Sequence, residues 1–320
     1  MSRATKIWLV AAACLVALGL IIFAAAMSVC GWDFDKLDTE KYETSTFEIS
    51  EGFSSISISA DTADVLLALS DDDTCRVVCY ERDGVEHSAD VRDDTLVVDT
   101  VDDRKWYEYI GISFDMPSII VYLPRTEYAS LIIKGSAGAV EVPGDFGFSD
   151  IDICSSTGDV ALFASASGSV AIKTSTGGIR VEGISADGLE LSSTTGGITV
   201  RDVSCGDVGI DSSTGETELR DVECRSLVSV ADTGDIALIG VVASEKLEVE
   251  LSTGNVAFDG SDAAEIIVKT DTGDVTGSLL TDKTFVTQTE TGRVDVPAAP
   301  HTGGICRIST YTGDIKIKID

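Results

Sequence analysis

From about residue 147 to the end of the chain, apolar residues recur in pairs two positions apart. Each pair sits at a fixed distance from a Thr-Gly dipeptide. Seven and five residues before the glycine stand pairs such as Val170/Ile172, Val208/Ile210 and Ile266/Val268, and two and four residues after it stand Ile179/Val181, Ile198/Val200 and Ile236/Leu238. A spacing of two, rich in β-branched residues, predicts short strands with one face turned inward. The Thr-Gly between them predicts a turn in which glycine is free to take positive φ.

The glycines fall at 158, 177, 196, 215, 234, 254, 273, 292 and 313, so the intervals are 19, 19, 19, 19, 20, 19, 19 and 21. Short turns between strands ordinarily mean hairpins. A rigid period argues instead for coils that stack each strand on its equivalent one rung on, a parallel β-solenoid. The hexapeptide rhythm of left-handed β-helices is absent, which predicts the right-handed form with ~19-residue coils. Gly138 extends the array backwards, and Ala63 in ISISADTADVLL lies 75 residues earlier, close to four periods. That spacing predicts further coils within 47–128, elaborated by hairpins into a cap, ahead of a regular solenoid over 129–320. Fourteen coils at ~4.8 Å each would make a rod of roughly 65 Å.

At the other end, Ile7 to Val29 carry no charge, and as a helix they span roughly 35 Å, enough for a bilayer core. Arg3 and Lys6 precede this stretch and Asp33, Asp35 and Asp38 follow it. The positive-inside rule then places residues 1–6 in the cytoplasm, 7–29 across the membrane, 30–46 as a linker and the repeats outside the cell. A signal peptide cleaved near Ala24–Ala26 is the rival reading, and a lipid anchor on Cys30 is disfavoured by the bulk of Val29.

Composition narrows the functions. With 54 acidic against 23 basic residues and a net charge of −31, the chain offers no basic face to a nucleic acid. Two histidines leave almost no material for triad or multi-histidine metal chemistry. Six cysteines lie beyond the linker's first residue, Cys75, Cys79, Cys154, Cys205, Cys224 and Cys306, too sparse for a disulfide-built scaffold and without a metal-type C-x-x-C.

The N-terminal anchor followed by units such as Ser156-Thr157-Gly158-Asp159-Val160 resembles the bacterial putative-adhesin family of β-strand-repeat proteins, a domain of unknown function. The resemblance spans about residues 47–320. It implies a cell-envelope β-solenoid with adhesion as its role, and an association of some relatives with envelope-stress systems. The family brings no catalytic motif, so no catalytic, cofactor-binding or metal-ligating residue is assigned.

Several constellations carry candidate chemistry. Asp159, Glu216, Asp235, Asp274 and Asp314 follow the Thr-Gly, and stacked carboxylates could take Ca²⁺, but Gly178, Gly197, Asn255 and Arg293 interrupt them. Solvated turn acids are the plainer reading. The threonines before each glycine, Thr157 to Thr312, form a hydroxyl row. With Thr174, Thr270, Thr289 and Thr310 they give Thr-x-Thr, the arrangement of ice-binding faces; a turn-stabilising hydroxyl is the plainer account. Cys205 and Cys224 share a slot that Ala186 and Ala243 hold in flanking coils, close enough for a disulfide or for two buried thiols. Cys75 and Cys79 fall on one strand face, about 13 Å apart if extended, and are not each other's partners. His87 and His301 read as isolated surface residues. Trp106-Tyr107-Glu108-Tyr109 reads as a cap over the core's end or a docking patch.

The leading expectation is therefore a non-enzymatic, membrane-anchored surface rod, an adhesin or envelope scaffold for a surface glycan or protein ligand. The alternative is an accessory or sensor of an envelope-stress pathway working through a membrane-protein partner, since six cytoplasmic residues are too few to signal alone. A polysaccharide-degrading β-helix enzyme is remote: from 150 onward the coils hardly vary in length and contain no Trp and a single tyrosine, Tyr311.

Overall fold

The computed structural model describes residues 3–29, 31–32, 42–82, 84–102, 116–298 and 304–320. Helix α1 (Arg3–Val29) has no acidic residue in its first turn and no basic one in its last. Its stretch from Thr5 to Val29 is long and apolar enough to cross a membrane, with a mean hydropathy of 2.8 and none of that window buried in protein.

The rest is a β-solenoid of about nine turns. Identical positions pair in parallel from rung to rung: Thr157 with Thr176, Thr176 with Thr195, Thr195 with Thr214 and Thr214 with Thr233. Each coil has a first strand, the Thr-Gly corner and a second strand. A short third side follows, on which Ser185 pairs with Ser204 and Ser204 with Glu223. Inward residues from all three sides fill one continuous core. Val170, Ile172, Val208, Ile210, Ile266 and Val268 are at most 3% exposed, as the two-residue spacing requires. Burying each such side chain contributes about 1.5–3 kcal/mol.

The 20-residue interval from Gly234 to Gly254 is absorbed on the third side, where the register shifts between Cys224 and Ser226 against Ala243 and Lys246. A bulge there leaves the corners in line.

The stack departs from chain order at both ends. Strand β2 (Ser55–Thr62) lies directly beneath β8 (Glu127–Ala137), and the amide of Ala63 donates to Ala137 O at 3.0 Å. Ala63 and Gly138 thus belong to adjacent rungs, not to rungs four periods apart. Between them run β3 (Asp64–Leu69), β4 (Cys75–Arg82), β5 (Val85–Arg92), β6 (Thr95–Asp102) and β7 (Ser118–Leu123). β6 and β7 pair parallel to β2 and β3 and extend the two sides by one rung. β5 then joins β6, and β4 joins β7, antiparallel, with β1 (Tyr42–Ile49) antiparallel to β4. The expected fourteen coils are about nine turns because much of this segment is spent on antiparallel strands.

At the far end, the coil of Ile305–Ile319 inserts between the Gly273 coil and the Gly292 coil, which precedes it in sequence. Side-chain chemistry explains the order. The inward positions of the inserted coil are Cys306, Ile308, Ile315 and Ile317, all buried. The matching positions of the terminal coil are Phe285, Thr287 and Val294, and the exchange that changes polarity is Thr287 for Ile308. The more apolar coil takes the interior rung and the more polar one meets water.

Candidate functional site

The Thr-Gly corner is the feature that repeats on the outside, and its geometry follows from how closely successive rungs approach. Gly254 has φ +145°, and a Cβ there would lie 2.2 Å from the carbonyl oxygen of Gly234. Only glycine fits, and the same holds along the stack. Backbone bonds tie the corners together, as where the amide of Gly177 donates to Thr195 O at 2.8 Å.

The Thr-x-Thr pairs do not form a double row. The chain bends at the middle residue, so Thr174, Thr270 and Thr310 point into the core, at most 5% exposed, while Thr176, Thr272 and Thr312 face solvent. Inward hydroxyls brace the corner: buried Thr310 donates to Gly273 O at 3.2 Å and half-buried Thr289 to Gly313 O at 3.0 Å. Outside there remains a single unbroken file of exposed threonines. It runs from Thr157 through Thr272, then Thr312 and Thr291, at one rung's pitch.

The acids after the corner are engaged with the backbone. Asp159 Oδ1 accepts the amide of Gly178 at 2.7 Å, Asp235 Oδ1 that of Asn255 at 2.8 Å, and Asp274 Oδ1 that of Asp314 at 2.7 Å. Asn255 does the same with its amide oxygen for Asp274, at 2.9 Å. Where the position carries Asp or Asn, a side-chain oxygen at the same reach makes this bond with or without a charge. Asp314 also pairs with Arg293 at 2.8 Å, and the guanidinium holds its carboxyl below the usual range. Among the described residues no group of three or more His, Cys, Asp and Glu side chains could hold a metal ion.

Cys205 and Cys224 are both free, the first half-buried and the second buried. Burial pushes their thiols up to about 11 and about 12, so both stay protonated and unreactive. Cys75 and Cys79 are free and buried on one face of β4. His87 differs from its expectation: it is buried, with Nδ1 2.6 Å from Glu81 Oε2, and Glu81 also accepts the hydroxyl of Ser45. The antiparallel strands around it close over what a regular coil would leave exposed. His301 and the Trp106–Tyr109 cluster lie outside the described residues.

A second corner escaped the sequence reading. Six residues after successive Thr-Gly glycines stand Gly183, Asp202, Asp221, Gly240 and Gly260, all at φ between +53° and +70°. Glycine or aspartate is what a left-handed position favours, and that recurrence was the available signal. Beside it runs an open groove of about 490 Å³ lined by Ser165, Ser185, Ser204, Asp202, Asp221 and Glu223 among others.

The Toastrack DUF4097 family model matches residues 53–221, from before β2 to the middle of the stack. The chain belongs to the Toastrack DUF4097 family. This Toastrack chain matches none of the curated proteins. It is similar to a solved structure of a putative adhesin from Parabacteroides distasonis, at 13% identity and TM-score 0.49, over 87% of this chain and 98% of that one. A putative adhesin from Bacteroides fragilis gives 15% identity and TM-score 0.43 over 87% and 97%. A putative lipid binding protein from Parabacteroides distasonis gives 16% identity and TM-score 0.45 over 88% and 98%.

Proposed function

We propose that the chain is a non-enzymatic rod, anchored by α1 with its N-terminus in the cytoplasm, that presents a repeating polar surface outside the cell as an adhesin or envelope scaffold. The observation that carries this reading is the threonine file: one exposed hydroxyl per rung, in constant register, along an acidic solenoid. A ligand with its own repeat, such as a surface glycan or a fibrous protein, gains many weak contacts at once on such a surface. The net charge of −31 keeps the rods soluble and apart.

The test is binding of labelled residues 31–320 to a panel of envelope polymers, host glycans and matrix proteins, with calcium and with chelator. Saturable binding that drops in the triple variant Thr195→Val, Thr214→Val, Thr233→Val supports presentation by the file. Silence across the panel overturns it and moves weight to an envelope-stress accessory acting through a membrane partner.

A further inference from the structure

Along most of the solenoid the outward residues of the second strand are small or polar: Ala161, Arg180, Thr199, Glu218, Ala237. The rungs next to the anchor differ. β3 and β7 read DVLLAL and SIIVYL, near-continuous apolar runs, and β4, reading CRVVCYER, adds Val78 to the same outer face between Arg76 and Tyr80. In β3 and β7, which pair in parallel, that composition is typical of strands covered on both faces. Their inner face is accounted for, since Val65, Leu67, Val77, Cys79, Ile119 and Val121 are core residues. Their outer face places Leu66, Ile120 and Val78 side by side across three paired strands, all half-buried, with Met116 beyond them 55% exposed.

One charge on this face has an aromatic partner and no carboxylate among the described residues. Arg76 stands opposite Tyr122, its guanidinium 4.7 Å over the ring. Its Nε is buried and has no hydrogen-bond acceptor. Glu48 is level with it on β1, yet Arg76 makes no ion pair among the described residues. An arginine set on an aromatic ring within an aliphatic patch is equipped for an anionic oxygen at the edge of an apolar phase.

Where the chain leaves α1 selects the occupant. β1 starts at Tyr42, thirteen residues beyond Val29, and at ~3.6 Å per residue it stays within about 45 Å of the helix end. β1 pairs with β4 and β4 with β7, so the patch belongs to the very sheet the tether enters. Aliphatic, tyrosine and arginine side chains together suit the bilayer interface; the exposed acids beside them, Glu48 and Glu141, lie at the border of the patch, and the acidic coils beyond are repelled by lipid phosphates. We infer that the outer face of β3, β7 and β4 rests on the phospholipid surface, with Arg76 on a lipid phosphate, and so fixes the angle at which the rod leaves the membrane. This rests on the anchored reading above.

The full-length chain in nanodiscs of phosphatidylcholine and phosphatidylglycerol, doped with a phospholipid photolabelled near its headgroup, tests both claims separately. Mass-spectrometric mapping should find label in residues 75–82 and 118–123 as well as in α1. Arg76→Gln and Ile120→Glu, both outward-facing, should each reduce strand labelling several-fold while α1 labelling and the melting temperature hold. Label in α1 with none in the strands overturns the docking and leaves the anchor standing. Label in neither overturns the anchor itself. Strand labelling equal in both variants and in the parent overturns the assignment to this face.

Discussion

The amide of Gly273 donates to the carbonyl of Thr312, 2.9 Å away, and so bypasses the coil that follows it in sequence. The last coil of the chain is an interior rung, and the one before it is the end of the stack. Amide hydrogen exchange should reflect this order. Strand Ile305–Thr312 is expected to be more protected than Thr284–Thr291, although it lies nearer the C-terminus. Ile308→Ala should cost about 2–4 kcal/mol in denaturant unfolding, and Thr287→Ala, at the end rung, well under half of that. Equal protection of the two strands would contradict the order.

Glycine at the corner is a steric requirement. Gly254→Ala puts a methyl against the Gly234 carbonyl at a φ that alanine rarely adopts, with an expected cost of about 3 kcal/mol or more. Gly188→Ala is the control, since a Cβ there meets nothing within 4 Å. It should be neutral or stabilising by up to about 1 kcal/mol. Thermal melting of the two variants side by side checks the claim.

Among the buried hydroxyls without partners, two lie in adjacent coils on different sides of the core. Thr217 lies between Ile198 and Ile236, Ser229 between Ile210 and Val249, and both oxygens are buried and unbonded. Thr217→Val keeps the shape and removes a desolvated polar group, so a gain of about 1 kcal/mol is expected. Ser229→Ala should gain less, because it also loses volume. A loss of stability in Thr217→Val would show that the hydroxyl has a partner, such as a buried water.

Two outward acids, Asp150 on a first strand and Asp314 after a corner, make stability sensitive to acid. Asp150, which accepts the amide and hydroxyl of Ser169, and Asp314, beside Arg293, both have carboxyls held below the ordinary value of 3.8. A depressed folded-state value means stability that is present above the unfolded value and lost as the pH falls through the folded one. The melting temperature should therefore drop below about pH 4. Asp314→Asn should flatten part of that drop, because an amide oxygen can still accept from Arg293, as Asn255 accepts from Asp274. At neutral pH, Asp235→Asn should be close to parent, while Asp235→Ala leaves the Asn255 amide without its partner at a cost of about 0.5–1.5 kcal/mol.

How far the sequence foretold this molecule varied with how local the cause was. Strand faces and the Thr-Gly corner were legible because pairing identical rungs forces identical residues at each position, as at Val208 and Ile210. The second corner was there to be read in Gly183, Asp202 and Asp221, but its residue type varies and no dipeptide marks it. The order of the coils was not legible. The period is the same whether Thr272 neighbours Thr291 or Thr312, and only the polarity of Thr287 against Ile308 decides. The 75-residue gap between Ala63 and Gly138 misled for the same reason, since a multiple of the period looks like coils even when β4 and β5 turn antiparallel. The buried role of His87 depends on Glu81, six residues away across a turn, and on Ser45, distant in sequence, and neither follows a repeat.

The threonine file is unbroken because stacking, not chain order, sets Thr312 between Thr272 and Thr291. A short bifunctional thiol crosslinker tests it directly in a Cys154→Ser background. The pair Thr272→Cys with Thr312→Cys should crosslink efficiently, and so should Thr312→Cys with Thr291→Cys. Thr272→Cys with Thr291→Cys, two rungs apart, should not. Efficient crosslinking of that last pair, with the first silent, would mean the coils stack in chain order and would contradict the account.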